Sequence, residues 1–159
     1  MTDADRRYMR MALDQAVLGQ ALGEVPIGAV VILDGQVVAQ AHNLREAWQD
    51  PTAHAEVVAI REAANRLGTW RLTGATLYVT LEPCSMCAGA MILARIGRLV
   101  FGAMDPKAGA CGSMFNIPED RRLNHRIEVS SGVMEPESQA LLQAFFKRLR
   151  DDAGELAGL

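Results

Sequence analysis

The apolar positions of the chain fall into two rhythms. Over residues 3–20, Met9, Ala12, Leu13, Ala16 and Val17 recur at spacings of three and four, which predicts an amphipathic helix ended by Gly23 and Pro26. "IGAVVIL" and "QVVAQAHN" then flank Asp34-Gly35. An Asp-Gly pair between β-branched runs predicts a hairpin, because both turn residues must take positive φ. "LREAWQDPT" predicts a loop, in which Trp48 either covers the core, the reading preferred, or offers a face for stacking. Helices are predicted over 53–68, stopped by Gly68, and over 84–96, opened by Pro83. Strands are predicted over 75–81 and 98–103. "CSMCAGAMILARI" is apolar almost all round, so burial on every side is expected. "MDPKAGACGSMFNIPEDRR" is punctuated by Gly and Pro and predicts a long, functional segment. "RIEVSSGV" holds a short strand, and "EPESQALLQAFFKRLRDD" a last helix with Pro136 in its first turn.

The predicted order is α-β-β-α-β-α-β-β-α. Two strand–helix–strand passages put helices on both faces of a mixed sheet, a three-layer α/β/α domain of about five strands. At 159 residues one domain over 1–159 is expected. No apolar run is long enough for a membrane span. The opening "MTDADRRYMRMALDQA" lacks the pattern of a secretory signal. Three cysteines, two of them at C-x-x-C, argue against a disulfide framework and for a reducing, cytoplasmic setting. A net charge of −3 excludes a globally basic nucleic-acid binder and leaves two local clusters, "RRLNHR" and "KRLR".

The chemistry lies in "PTAHAE" and "TLEPCSMCAGAM". Cys84 and Cys87 suit a redox pair, half of a structural zinc site, or two ligands of a catalytic metal. A thioredoxin-type pair needs no upstream H-x-E. A structural zinc takes four ligands, and the remaining Cys111 sits in the Gly-rich segment. His54, Cys84 and Cys87 supply three ligands and leave a fourth position for water, the pattern of catalytic Zn²⁺. Thiolates are favoured at a helix N-terminus, and Cys84 and Cys87 project from one face there. Glu56 shares a site with His54 only if both lie at the opening of their helix. There it would hold the water and move its proton as general base and then general acid. H-x-E followed by P-C-x-x-C is the signature of zinc deaminases.

"DPTAHAE", "ATLYVTLEPCSMCAGAMILARIGRLVFGAMDPKAGACGS" and "NHR" resemble the bacterial tRNA-specific adenosine deaminase family, over most of the chain. The resemblance implies a cytidine-deaminase-like sandwich, one Zn²⁺ per subunit, a homodimer, and deamination of the wobble adenosine of a tRNA anticodon loop to inosine. It implies His54, Cys84 and Cys87 as zinc ligands and Glu56 as proton shuttle. It also implies that Asn43 contacts the flipped nucleoside and that Asp105 and Lys107 lie beside the RNA backbone. Asn43 and Asp105 read equally well as turn residues. Met104 stands where the family often carries a basic or aromatic residue. A free-base or nucleoside deaminase, of cytosine or guanine, would use the same metal set without RNA contacts. A non-catalytic zinc or redox module would show four-ligand zinc or none.

The last predicted helix carries two apolar stripes. Leu141, Ala144 and Phe145 form one; Leu142, Phe146 and Leu149 form the other. One packs on the sheet. The second is left near the surface, where Phe146 beside Lys147, Arg148 and Arg150 suits stacking and phosphate contact with an RNA strand.

Overall fold

The computed structural model describes residues 1–158. α1 (Asp3–Ala21) opens on a capping box, in which Thr2 and Asp5 satisfy each other's backbone N–H. It buries Tyr8, Met9, Ala12, Leu13 and Ala16, whereas Val17, expected on the same stripe, is 49% exposed. β1 (Gly28–Leu33) and β2 (Gln36–His42) form the expected hairpin, with Asp34 at φ 50 and Gly35 at φ 71. Gly28 lets α1 lie directly on β1: a Cβ there would stand 1.9 Å from the carbonyl oxygen of Ala12.

Residues 44–52 are not a plain loop, because Arg45–Trp48 form the short helix α2. Its N-cap is Leu44, which has no side-chain acceptor. The fully buried Glu24 takes that role from a distance, accepting from Glu46 N at 3.0 Å and Ala47 N at 2.8 Å. Trp48 does not cover the core; it is 53% exposed.

α3 (Ala55–Leu67), β3 (Thr76–Leu81), α4 (Ser85–Ala94), β4 (Arg98–Ala103) and β5 (Glu128–Ser130) follow the predicted order. Gly68 ends α3 in the left-handed conformation. α5 (Glu135–Ala157) runs past the expected end at residue 152. The sheet order is β2-β1-β3-β4-β5, with β1 antiparallel to both neighbours and β3, β4 and β5 parallel.

Strand alternation divides the core into two layers. Ala29, Val31, Leu77, Val79, Leu99 and Phe101 face α3 and α4 and pack with Ala59, Ala63, Ala88 and Met91. Val30, Ile32, Tyr78 and Val100 face the other way, onto Tyr8, Met9 and Leu13 of α1 and Leu141 near the start of α5. This is the expected three-layer α/β/α sandwich on a mixed five-stranded sheet.

α4 is not covered all round: Cys87, Ala88, Met91 and Ile92 are buried, but Leu93 is 71% exposed and Met86, Gly89 and Ala90 are half-buried. Those four lie on one outward face, and the exposed Leu67 and Trp70 stand among the neighbouring segments. The fold itself has only one sheet face to offer α4, so the opposite face of the helix stays bare.

Candidate active site

β2 and β3 run in the same direction on either side of β1, so their C-terminal ends emerge at one edge of the sheet. Crevices outside the carboxyl ends of strands are the usual binding sites of such sheets. β2 hands over to Asn43, and β3 to Glu82, Pro83 and Cys84. The N-termini of α3 and α4 meet there. His54 is the N-cap of α3 and Cys84 the N-cap of α4, both with extended backbone and neither with a side-chain capping bond. Their side chains turn instead toward each other. His54 Nδ1 lies 3.6 Å from Cys84 Sγ and 3.5 Å from Cys87 Sγ. All three ligand atoms lie within 4.8 Å of one another, a group able to hold a metal ion. Cys111 is free and buried and stands outside that group, its thiol directed at the carbonyl of Pro83.

The electrostatics follow from this clustering. Cys87 donates to Cys84 and holds the Cys84 thiol down to about 3; burial opposes the shift and His54 adds to it. The same bond to Cys84, with burial, pushes Cys87 up, and contact with Cys84 raises His54. Glu56 occupies the first turn of α3, is 4% exposed and hydrogen-bonds Cys87. Burial raises its carboxyl pKa above the usual range. His54 and Glu56 thus both lie at the very opening of their helix, the condition on which two residues at this spacing can face one site.

Asn43 is brought beside this group by backbone pairing: Leu44 N donates to Ala53 O at 3.0 Å, and Asn43 N to Ile27 O at 3.1 Å. The residue is 4% exposed. Asp105 has a different office. Its carboxylate accepts from Lys107 N and Ala108 N and closes its own turn, the turn-forming alternative read from "DPK". Lys107 is exposed, and with Phe146, Leu149, Arg150 and Ala153 it lines an open groove of about 510 Å³. Phe146 is 44% and Leu149 49% exposed, so the second stripe of α5 does remain at the surface. Arg148 is exposed but does not line the groove, and Lys147 is paired with Asp151 at 2.9 Å. "RRLNHR" is partly spent on structure: Arg122 pairs with Asp120, and His125 bonds the carbonyl of Ile96 at 2.7 Å. Met104 is 41% exposed.

Two residues at this edge escaped the sequence reading. Glu82 is 2% exposed and accepts from Asp105 N, Cys111 N, Ser113 N and the Ser113 hydroxyl. Burial alone would raise its pKa, but these donors outweigh burial and hold it below the ordinary value. The one signal was an acid wedged between a strand and a proline. Glu24 had a similar signal, lying between Gly23 and Pro26.

No described helix is long and apolar enough to cross a membrane. Residues 3–150 match the model of the MafB19-like deaminase family. The chain is 54% identical over 146 residues to the tRNA-specific adenosine deaminase of Bacillus subtilis (strain 168), covering 92% of this chain and 91% of that protein. A solved structure from work on A-to-I editing by tRNA:A34 deaminases at the wobble position of transfer RNA superimposes with a TM-score of 0.83 at 48% identity. That match covers 86% of this chain and 99% of the other. The guanine deaminase of Bacillus subtilis matches less completely, with a TM-score of 0.62, 38% identity and coverage of 65% and 66%. On the strength of that identity along nearly its whole length, the chain belongs to the tRNA-specific adenosine deaminase family.

Proposed function

We propose that residues 1–159 form a single zinc-dependent deaminase domain that hydrolyses the wobble adenosine, position 34, of a tRNA anticodon to inosine and releases ammonia. The observation that carries this reading is the buried Glu56 carboxyl set against three converging metal ligands, in a chain with the relatives just described.

The donor set fits zinc. Two thiolates and an imidazole balance the dication and leave one position open. Two ligands of one tetrahedral zinc, at the usual bond lengths, stand about 3.6 Å apart when one is sulfur and the other nitrogen. The two sulfur–nitrogen separations here are 3.6 and 3.5 Å. His54, Cys84 and Cys87 would hold one ion per subunit. When bound, zinc lowers the pKa of a water toward neutrality and so supplies the nucleophile.

The remaining steps fall to the chain's own groups. Glu56 removes the proton of the attacking water and places it on N1 of adenine, which makes C6 electrophilic. The water oxygen adds to C6. Glu56 then takes the proton of the added hydroxyl and passes it to the exocyclic amine, which leaves as ammonia as the C6 carbonyl forms. Burial suits Glu56 to this exchange, because desolvation raises its pKa above the usual carboxylate range and so eases its taking up of a proton between steps. Asn43, buried and next to the turn that leads to His54, is the residue best placed to bind the nucleoside. A stacked base cannot enter such a pocket, so the target is splayed out of the loop, at low cost where anticodon bases are already unstacked.

The groove between Lys107 and α5 supports a polymeric substrate over a free base. Phe146 offers a face for stacking, Lys107 and Arg150 two cations for phosphates, with Arg148 flanking. Asp105 would act there by shaping the loop. The bare apolar face of α4 supports a homodimer. Three free thiols suit the cytoplasm, where its tRNA resides.

Incubation with bulk tRNA, followed by nucleoside digestion, should show inosine appearing and adenosine lost. Free adenosine, cytosine and guanine serve as controls. Turnover of guanine with none of tRNA would move the chain to the free-base reading.

A further inference from the structure

Residues 104–127, between β4 and β5, contain no named helix or strand. A segment of that length keeps one shape only if something ties it down. Much of the tie is one buried side chain. Glu82 Oε1 accepts from Asp105 N at 3.0 Å and from the Ser113 hydroxyl; Oε2 accepts from Cys111 N and Ser113 N, each at 3.0 Å. A carboxylate has about four acceptor sites, and this loop fills them all. Gly109 presses on the carboxyl so closely that a Cβ would stand 2.3 Å from it. The backbone of Glu82 is held in turn by Ala103 O at 2.8 Å, at the end of β4.

The same loop is stitched to the metal-ligand turn. Ala110 N donates to Pro83 O at 2.9 Å, and Cys84 and Gly109 form a backbone bridge. Glu82 lies two residues before the ligand Cys84, and Asp105, its first donor, two before Lys107 on the groove. One carboxylate thus joins the wall that faces substrate to the turn that carries the ligands.

We propose that Glu82 is a positioning residue that sets the 105–113 loop in register with the metal-ligand turn, so that an RNA strand held at Lys107 presents its base to Glu56. The proposal rests on the tRNA reading above. Three of the four donors are backbone N–H groups, buried at Cys111 and part-buried at Asp105 and Ser113, so loss of an acceptor leaves them unpaired and loosens the loop.

The test compares the zinc-loaded parent with Glu82→Gln, Ser113→Ala and Ser113→Thr on a synthetic anticodon stem–loop RNA containing A34. Glu82→Gln sets an amide NH₂ against a backbone N–H. Ser113→Ala removes only the hydroxyl donor and decides the matter if Glu82→Gln fails to fold. The expected result is a KM for RNA raised about tenfold, the effect of one lost charge-assisted hydrogen bond, with kcat little changed, zinc retained, and Ser113→Thr at the parent level. Amide exchange at Asp105, Cys111 and Ser113 should quicken while α3 and α4 stay protected. A fall in kcat or zinc with KM unchanged would overturn the proposal by assigning Glu82 to the ligand set. Unaltered kinetics in both Glu82→Gln and Ser113→Ala, with an active parent, would leave Glu82 a fold support only. A zinc-loaded parent that neither binds nor edits the RNA removes the tRNA reading, and this inference with it.

Discussion

Cys87 Sγ and His54 Nδ1 stand 3.5 Å apart across the facing N-termini of α4 and α3, and Glu56 reaches the same sulfur. Ligand and proton carrier therefore have separable roles. Elemental analysis should find one zinc per chain, lost in Cys84→Ser and Cys87→Ser. Glu56→Gln should keep the metal and lower turnover by about 10²- to 10⁴-fold. A Glu56→Gln variant that turned over near the parent rate would remove Glu56 from the proton path.

The outward face of α4 predicts self-association. Leu93 is 71% exposed at its C-terminal end, in line with Met86, Gly89 and Ala90, where small residues allow close backbone approach. Sedimentation of the parent should give twice the 17.2 kDa chain mass, and Leu93→Glu should give the monomer. A monomeric parent at micromolar concentration would contradict the dimer.

The groove on α5 predicts a salt signature. Lys107 and Arg150 line it; Arg148 does not. Replacing Lys107 and Arg150 together by Ala should flatten the slope of log affinity against log salt by about 1.4 to 1.8 units if both touch phosphate. Arg148→Ala should flatten it less. Zinc content should stay at the parent level, since none of the three is a ligand. An unchanged slope in the double variant would take RNA away from this groove.

Far from the site, Asp5 predicts an acid limb in stability. Its side chain is 2% exposed and accepts from Arg98 Nη1 at 2.8 Å, Nη2 at 3.2 Å and the Tyr78 hydroxyl at 2.9 Å. The Arg98 bond, more than any other contact, holds its pKa well below the usual carboxylate range. A depressed folded-state pKa adds stability above the unfolded value, about 4, and that stability is lost as pH falls below it. Asp5→Asn should cost about 3 kcal/mol at pH 7, because it leaves Arg98 without its buried partner. Urea unfolding should show the gap between parent and variant closing as pH falls from 5 toward 2. A gap constant over that range would mean that the Asp5 charge contributes nothing.

The elements and the ligand set were legible in the sequence because each rests on local chemistry. Period-two runs around Asp34-Gly35 specify a hairpin through the φ each residue can adopt. His54, Glu56, Cys84 and Cys87 are recognisable because each pair lies within one turn of its own helix. Other features depend on partners distant in the chain. Glu82 finds its donors 23 to 31 residues away, and Glu24 caps a helix 22 residues on. No window of sequence marks such a buried acid as a hub, since its meaning lies in which backbone N–H groups the fold leaves unpaired nearby. Exposure is likewise a property of the assembled layers. α4 is apolar on every side, yet the sheet covers only one of them, and Trp48 lies outside because Glu24 holds α2 at the surface. The chain by itself determined which residues can form strands, helices and a metal set. Only tertiary packing decided which acids are buried, which apolar faces stay bare, and that Lys107 meets Arg150 and Phe146 across one groove, because each depends on free energy shared between segments that touch only once the sheet has formed.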